Sequence, residues 1–330
     1  MTLPKIGITL GDPGGIGPEV ILKAISSINS LPKACYILFG SSSVIEQEKK
    51  ALEVELSIQP FERGTETDSL SFSLYEIKTP MKTVKKGAAE KENGISSFSF
   101  LKKAIEELKK GTIQALVTAP ISKHSWKLAG LKWKGHTDFF SQTYPQAIMA
   151  FWSDRLKIAL FSHHLSLKEA LKKVKKENLK DFFLRLQQCL EKIQPERFQF
   201  LVAGLNPHAG ENGLLGSEEE KEIVPAIKEA QKQGIRINGP FPPDIVFRQA
   251  LNLAQTIVIA LYHDQGLIPF KLEAFEKGVN ATLGLPFVRT SPCHGTAFDI
   301  AGKGIASSQS MVEAIRLAYR LSQPLFQLSP

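Results

Sequence analysis

The chain has 330 residues, of which 43% are hydrophobic, and its 41 Lys and Arg against 33 Asp and Glu give a formal net charge of +8. No apolar run approaches the ~18–20 residues that a membrane-spanning helix needs. The opening MTLPKIGITLGDPGG lacks the charged-then-apolar pattern of a secretory signal. Membrane and secreted classes are therefore not expected.

The length allows one or two domains with a large core, and the mean hydropathy of −0.08 is ordinary for a globular chain. Cys35, Cys189 and Cys293 form no CxxC pair and leave an odd count, which fits a reduced, cytoplasmic protein. Much of the positive charge lies in helical stretches such as KEALKKVKKE (168–177), which read as a solvated face. No zinc-finger, RRM or KH pattern is present, so nucleic acid is not an expected partner. A small anionic substrate drawn in by the field fits better.

Apolar runs of strand length alternate with helical periodicity, the pattern of a βα-type α/β fold. IGITL (6–10) predicts a strand. A Gly-rich turn follows, and Pro18 opens a helix running to Ile28. CYILFG (35–40) is the next strand, and 80–94 (PMKTVKKGAAEKENG) reads as an exposed loop. Residues 96–110 form an amphipathic helix, and IQALVTA (113–119) a buried strand. AIMAFW (147–152) and LKIALF (156–161) look like a strand pair, and Leu165 to Ile193 is largely helical. FQFLVAGL (198–205), TIVIALY (256–262) and VNATLG (279–284) are further strands, and the last helix spans Gln309 to Leu321.

Polar clusters bearing His and Gly come directly after these strands. In open α/β sheets ligands bind at the carboxyl ends of strands. GDPGGIGPE (11–19) is a plain strand–helix turn or an anion site at a helix N-terminus. It is neither a Walker A loop nor a GxGxxG fingerprint. In GHTD (135–138), His136 and Thr137 read as oxyanion ligands, or as an N-cap threonine beside a surface histidine. His164 follows LKIALF, His208 lies in NPHAGE after FQFLVAGL, and His263 lies in YHDQG after TIVIALY. Three imidazoles with open positions describe a catalytic divalent-metal site, and a structural role is the alternative for any one of them. Lys271, Asn280 and Arg289 combine charge with amide hydrogen bonding, the mix a phosphate wants. CHGTAFDIAGKG (293–304) is either a turn into the last helix or a nucleotide loop whose Asp299 could meet a ribose hydroxyl.

GDPGGIGPE, GHTD, NPHAGE, GPFPPD, YHDQG and LGLPFVRTSPCHGTAFDIAGKG resemble, in that order, the 4-hydroxythreonine-4-phosphate dehydrogenase family. The resemblance runs from about residue 5 to residue 320, and its two ends are also similar to the wider isocitrate/isopropylmalate dehydrogenase superfamily. It implies a two-domain α/β/α fold that binds NAD without a Rossmann fingerprint, with the active site in the interdomain cleft and at a homodimer interface. The expected domains are 1–125 with 297–330, and 126–296, the latter with the metal ligands and the dimer surface.

By motif position, the resemblance implies His164, His208 and His263 as metal ligands, for zinc, magnesium, cobalt or manganese. It implies His136, Thr137, Lys271, Asn280 and Arg289 as substrate ligands. His294, Gly295, Thr296, Ala297, Asp299 and Ile300 would form the adenosine loop, and Asp299 favours NAD over NADP. The substrate would be 4-phosphohydroxy-L-threonine, on the route to vitamin B6. Oxidation at C3 would give 2-amino-3-oxo-4-phosphooxybutanoate, a β-keto acid that loses CO2 to 3-amino-2-oxopropyl phosphate. Asp244 and Asp264 are candidates for orienting the metal ligands, and Lys271 or one of these aspartates for the general base.

Two departures stand out. Ser-His-His (162–164) replaces the family's commoner Thr-His, and Cys293 sits where relatives often carry an acid. A phosphorylated sugar acid such as 4-phospho-threonate or 4-phospho-erythronate is the rival substrate. A metal-dependent phosphate-ester hydrolase or aldolase, or a non-catalytic nucleotide-binding module, are rivals of other classes. HGTAFDIAGKG argues against the hydrolase and aldolase, and three post-strand histidines argue against the module.

Overall fold

A computed structural model describes residues 3–64, 68–80, 83–193, 198–251, 253 and 255–327. In chain order its first elements are β1 (Lys5–Thr9), α1 (Gly17–Ser26), β2 (Cys35–Gly40), α2 (Ser42–Leu52), β3 (Gln59–Pro60), β4 (Ser71–Glu76), α3 (Lys91–Lys109), β5 (Ala115–Thr118), α4 (Lys123–Leu128) and α5 (His136–Thr143). Then come β6 (Ile148–Trp152), β7 (Lys157–Leu160), α6 (Leu167–Lys173), α7 (Lys176–Ile193), β8 (Gln199–Ala203), α8 (Val224–Lys232), β9 (Ile237–Phe241), α9 (Val246–Ala250), β10 (Thr256–Ala260), α10 (His263–Ala274), β11 (Val279–Leu283), β12 (Val288–Pro292) and α11 (Gln309–Gln327).

The chain divides into two compact units, one of residues 1–145 with 285–330 and one of 146–284. Segments 126–145 and 285–296, expected in the second domain, pack in the first unit. The physical reason is strand pairing: β12 lies parallel to β5, with Val288 opposite Ala115 and Arg289 opposite Leu116.

The first unit carries the strand order β3-β4-β2-β1-β5-β12, with every pair parallel. β2 and β5 are buried at every position, which is why they read as continuous apolar runs rather than alternating ones. α3 covers β1, β2 and β5, burying Phe100, Leu101, Ala104, Ile105 and Leu108 at helical spacing. Full burial of a side chain such as Phe100 is worth ~1.5–3 kcal/mol. α11 lies against β12, and Thr290 Oγ1 donates to Ala314 O at 2.7 Å.

The second unit has the order β11-β6-β7-β10-β8-β9. β6 pairs antiparallel with β7 and with β11, whereas β7, β10, β8 and β9 are parallel neighbours. The expected strand pair is thus an antiparallel one. The helical stretch after β7 splits in two. Ser166 caps α6 in a reciprocal box with Glu169, and α7 follows after Val174 and Lys175.

The exposed loop expected over 80–94 is corrected in part. Residues 91–94 begin α3, and Val84, Asn93 and Gly94 are buried, because Val84 is bound by Gln47 of α2, Asn93 packs on Gly14 and Gly94 on Ser125 of α4. Residues 81–82 of that loop lie outside the described residues. Sequence reading also passed over α2, β3, β4, α4, α8, β9, α9, α10 and β12.

Candidate active site

In the second unit the histidine-bearing loops leave the carboxyl ends of β7, β10 and β8, which are adjacent parallel strands. Two side chains tie the loops together. Ser162 Oγ donates to Leu261 O at 2.7 Å, joining the loop after β7 to the loop after β10. Gln265 accepts from Leu261 N at 2.7 Å and donates to Gly204 O at 2.6 Å, joining the loop after β10 to that after β8. Glu219, 2% exposed, holds the third loop by accepting from Leu205 N, Asn206 N and Asn206 Nδ2 at 2.7–2.8 Å.

A pocket of about 330 Å3 opens between the loops after β7 and β10. Its lining includes Ser162, His163, His164, Tyr262, His263 and Asp264. The His164 and His263 rings lie 5.9 Å apart between centroids, and His163 meets His164 edge-on at 5.3 Å. His263, the first residue of α10, has its Nδ1 2.6 Å from Asp264 Oδ1. With Asp264 ionised, Nδ1–H donates, so Nε2 carries the lone pair a metal would need. Burial, with His164 and His263 adding to it, pushes His163 down to about 4.

His208 is placed differently. It is exposed at φ 52°, in a run His208–Asn212 in which every φ is positive. Among the described residues no three His, Cys, Asp or Glu side chains form a group that could hold a metal ion. The donor chemistry therefore fits a divalent ion at His164 and His263, with Asp264 setting the tautomer, while His208 is not gathered to that pair within the chain. Asp244 is exposed in the turn before α9. Lys271 is exposed on α10, and Asn280 stands on β11 opposite Phe151 of β6.

The first unit builds a second centre around a buried cation. Arg289, 4% exposed on β12, donates from Nε and Nη2 to Thr118 Oγ1 at 3.1 and 2.6 Å. Its Nη2 is 3.4 Å from His136 Nδ1, and its guanidinium lies 5.4 Å from the Phe140 ring centre. Burial pulls Arg289 down to about 9, so it stays charged at neutral pH. Burial first, and the facing Arg289 second, hold the His136 imidazole well below its usual range. A neutral His136 can accept from the guanidinium through Nδ1, while its Nε2 is buried without a partner.

His136 begins α5, and Gly135 is the N-cap residue. Thr137 is therefore not an N-cap, and His136 is half-buried, packing edge-on against Trp126 at 5.6 Å. A desolvated arginine beside an imidazole whose Nε2 is buried and unused suits a doubly charged oxyanion.

The Gly-rich turn after β1 proves structural. Gly14 N donates to Asp12 Oδ1 at 2.9 Å, Gly15 N to Asp12 O at 3.0 Å and Ile16 N to Thr296 O at 3.0 Å, so these amides are spent within the protein. Buried Asp12 also accepts from Ser125 Oγ at 2.6 Å, and burial raises its pKa. A Cβ at Gly15 would stand 2.8 Å from Thr296 Cβ, so only glycine lets the turn reach the 294–300 loop. Glu19, fully buried, continues the same brace by accepting from Ala306 N and Lys23 Nζ at 2.8 Å.

On the braced loop, His294 Nε2 is buried without a partner and burial lowers its imidazole. Gly295 has open space beside it, Ala297 has φ 41°, and Asp299 is exposed. Thr296 is the residue pinned by Ile16, and Ile300 N closes the loop on Ala297 O at 3.1 Å. An orphaned imidazole nitrogen beside an open glycine and a carboxylate fits a nucleotide cofactor.

Sequence reasoning missed Thr118, Ser162, Glu219 and Gln265. Gln265 lies inside YHDQG, and the motif was the available signal for it.

The fold and these loops define a two-unit α/β protein whose candidate ligand sites lie at the carboxyl ends of its strands. At the level of fold, the chain is similar to a β-decarboxylating dehydrogenase from Thermococcus kodakarensis (TM-score 0.51, 14% identity, 96% of this chain and 83% of that one). Residues 32–318 match the family model described as "Pyridoxal phosphate biosynthetic protein PdxA". A protein of Aquifex aeolicus named 4-hydroxythreonine-4-phosphate dehydrogenase is 40% identical over 95% of this chain and 97% of its own. One of Halalkalibacterium halodurans named "Putative D-threonate 4-phosphate dehydrogenase" is 40% identical over 96% of each chain. The crystal structure of 4-hydroxythreonine-4-phosphate dehydrogenase from Klebsiella pneumoniae superposes with a TM-score of 0.86 at 32% identity, covering 97% of this chain and 100% of that one. This chain belongs to the PdxA family and is an oxidoreductase. Among the described residues no helix is long and apolar enough to cross a membrane.

Proposed function

We propose that this dehydrogenase oxidises 4-phosphohydroxy-L-threonine at C3 with NAD and a divalent metal, in vitamin B6 biosynthesis. The observation that carries this reading is buried Arg289 beside half-buried His136, whose desolvated charge and unused imidazole nitrogen suit a phosphate monoester. His136, Thr137, Lys271, Asn280 and Arg289 hold the substrate and thereby position C3 for transfer. His164, His208 and His263 hold the metal, which when bound supplies a Lewis acid that eases ionisation of the C3 hydroxyl. Asp264 keeps His263 in the ligating tautomer. Lys271, Asp244 and Asp264 are the candidate acceptors of the hydroxyl proton, and a bound nicotinamide would supply the acceptor for the C3 hydride. The β-keto product, 2-amino-3-oxo-4-phosphooxybutanoate, then loses CO2 to give 3-amino-2-oxopropyl phosphate. His294, Gly295, Thr296, Ala297, Asp299 and Ile300 bind the adenosine half of the cofactor. The exposed Asp299 disfavours a 2′-phosphate and so favours NAD over NADP.

We propose a cytoplasmic homodimer in which a second copy completes the metal centre. Two observations support this. His208 is not grouped with His164 and His263 in one chain. On α10, the helix that starts at His263, and at its C-cap, Ile268, Leu272 and Phe275 follow at i, i+4 and i+7 with 61%, 84% and 76% exposure, an apolar stripe of the kind that a subunit interface covers. Cys35, Cys189 and Cys293, an odd count with no CxxC pair, fit a reducing compartment.

A second substrate, D-threonate 4-phosphate, is favoured by one observation: relatives named for either substrate are 40% identical to this chain. The experiment is cofactor reduction with each substrate, with and without a chelator. NADH formed from 4-phosphohydroxy-L-threonine, stopped by chelation and restored by added metal, is the expected result. Turnover of the sugar acid alone transfers the mechanism to that substrate, and no reduction with either refutes the proposal.

A further inference from the structure

We infer that Thr118 is a positioning residue for substrate binding, whose hydroxyl sets the plane of the Arg289 guanidinium. The inference rests on the reading of Arg289 as a phosphate ligand. Thr118 ends β5 and Arg289 lies on the neighbouring strand β12, opposite Leu116. Leu116 and Thr118 are two residues apart, so Thr118 and Arg289 project from the same face of the sheet. There Thr118 Oγ1 accepts from both Nε and Nη2, at 3.1 and 2.6 Å. Two donors of one rigid fork on one oxygen fix the guanidinium's rotation about its stem, which a single bond would not do. Phe140 lies 5.4 Å from the guanidinium carbon and His136 Nδ1 sits 3.4 Å from Nη2. The hydroxyl is fully buried, so water does not replace it.

A neighbouring hydroxyl provides the control. Thr9 of β1 stands opposite Thr118 in register, and its Oγ1 is buried without a partner. Thr9→Val removes a buried hydroxyl next door that makes no hydrogen bond to the arginine.

The test compares steady-state kinetics and inhibition by inorganic phosphate in the full-length enzyme with its metal. Thr118→Val is expected to raise the substrate KM and the phosphate inhibition constant together by about tenfold, with kcat within about twofold, as for a lost hydrogen bond to a charged group. Thr118→Ser is expected to restore both constants, and Thr9→Val to leave them unchanged. An unaltered KM in Thr118→Val, or an equal rise in Thr9→Val, overturns the inference. Arg289→Lys separates the two readings. If it raises KM while Thr118→Val does not, the phosphate ligand stands and only the positioning role falls. If it changes neither constant, the phosphate reading falls and takes this inference with it. Should Thr118→Val not fold, Thr118→Ala against Thr118→Ser makes the same comparison, since that pair differs by the hydroxyl alone.

Discussion

The arginine pocket of the first unit and the histidine loops of the second differ in what one chain completes. Around Arg289 the partners are already in place: Thr118 holds the guanidinium, His136 faces it and Phe140 packs beside it. Around His263 only the pair with His164 and the clasp from Asp264 are in place, and His208 stands exposed elsewhere on its loop. A buried cation costs a great deal unless its surroundings are built for it, so that centre must be finished as the unit folds. An imidazole at the surface keeps its water until a ligand arrives, so these loops need no finished set of partners to fold. The contrast is one of solvation: the buried site is preorganised, and the exposed one is left open.

The largest expected effect tests the open site. His208→Ala should lower kcat by at least ~100-fold, with a matching loss of bound metal measured by titration. Wild-type metal content and rate in that variant would mean that the two-histidine pair suffices. Asp264→Asn should act through His263 and weaken metal binding by about 10–100-fold. An unchanged affinity would remove Asp264 from the centre.

At the closed site, Arg289→Lys should raise the substrate KM by about tenfold with little change in kcat, because lysine cannot present a planar fork. A fall in kcat at constant KM would place Arg289 at the reacting carbon instead.

The smallest effect concerns acid. His136 is held below its ordinary value, so between pH 6.5 and its folded pKa the unfolded chain binds a proton that the folded chain does not. Stability should then fall as pH drops below 6.5, by at most ~1.4 kcal/mol per pH unit from this residue. The urea midpoint of His136→Gln should decline less steeply than that of the wild type over pH 7.5 to 5. Parallel declines would show that folded His136 accepts the proton.

How much could be read in advance follows from the range of each interaction. β2, β5 and β10 were legible because strands buried on both faces are continuous apolar runs. The His-bearing motifs were legible because they follow such runs directly. The glycines of the turn after β1 were legible as glycines but not in their role. That role is contact with Thr296, some 280 positions away, where an anion site was equally readable.

Local pattern in the chain thus specified the α/β class, the strongly apolar strands and the loops that carry chemistry, since periodicity and turn residues act over a few positions. Tertiary structure alone decided which of those residues meet. Thr118 grips Arg289 across 171 positions, and Gln265 reaches Gly204 across 61. Burial of His136 turned a residue readable as surface into a neutral acceptor, because desolvation depends on everything packed around a group and on nothing written beside it.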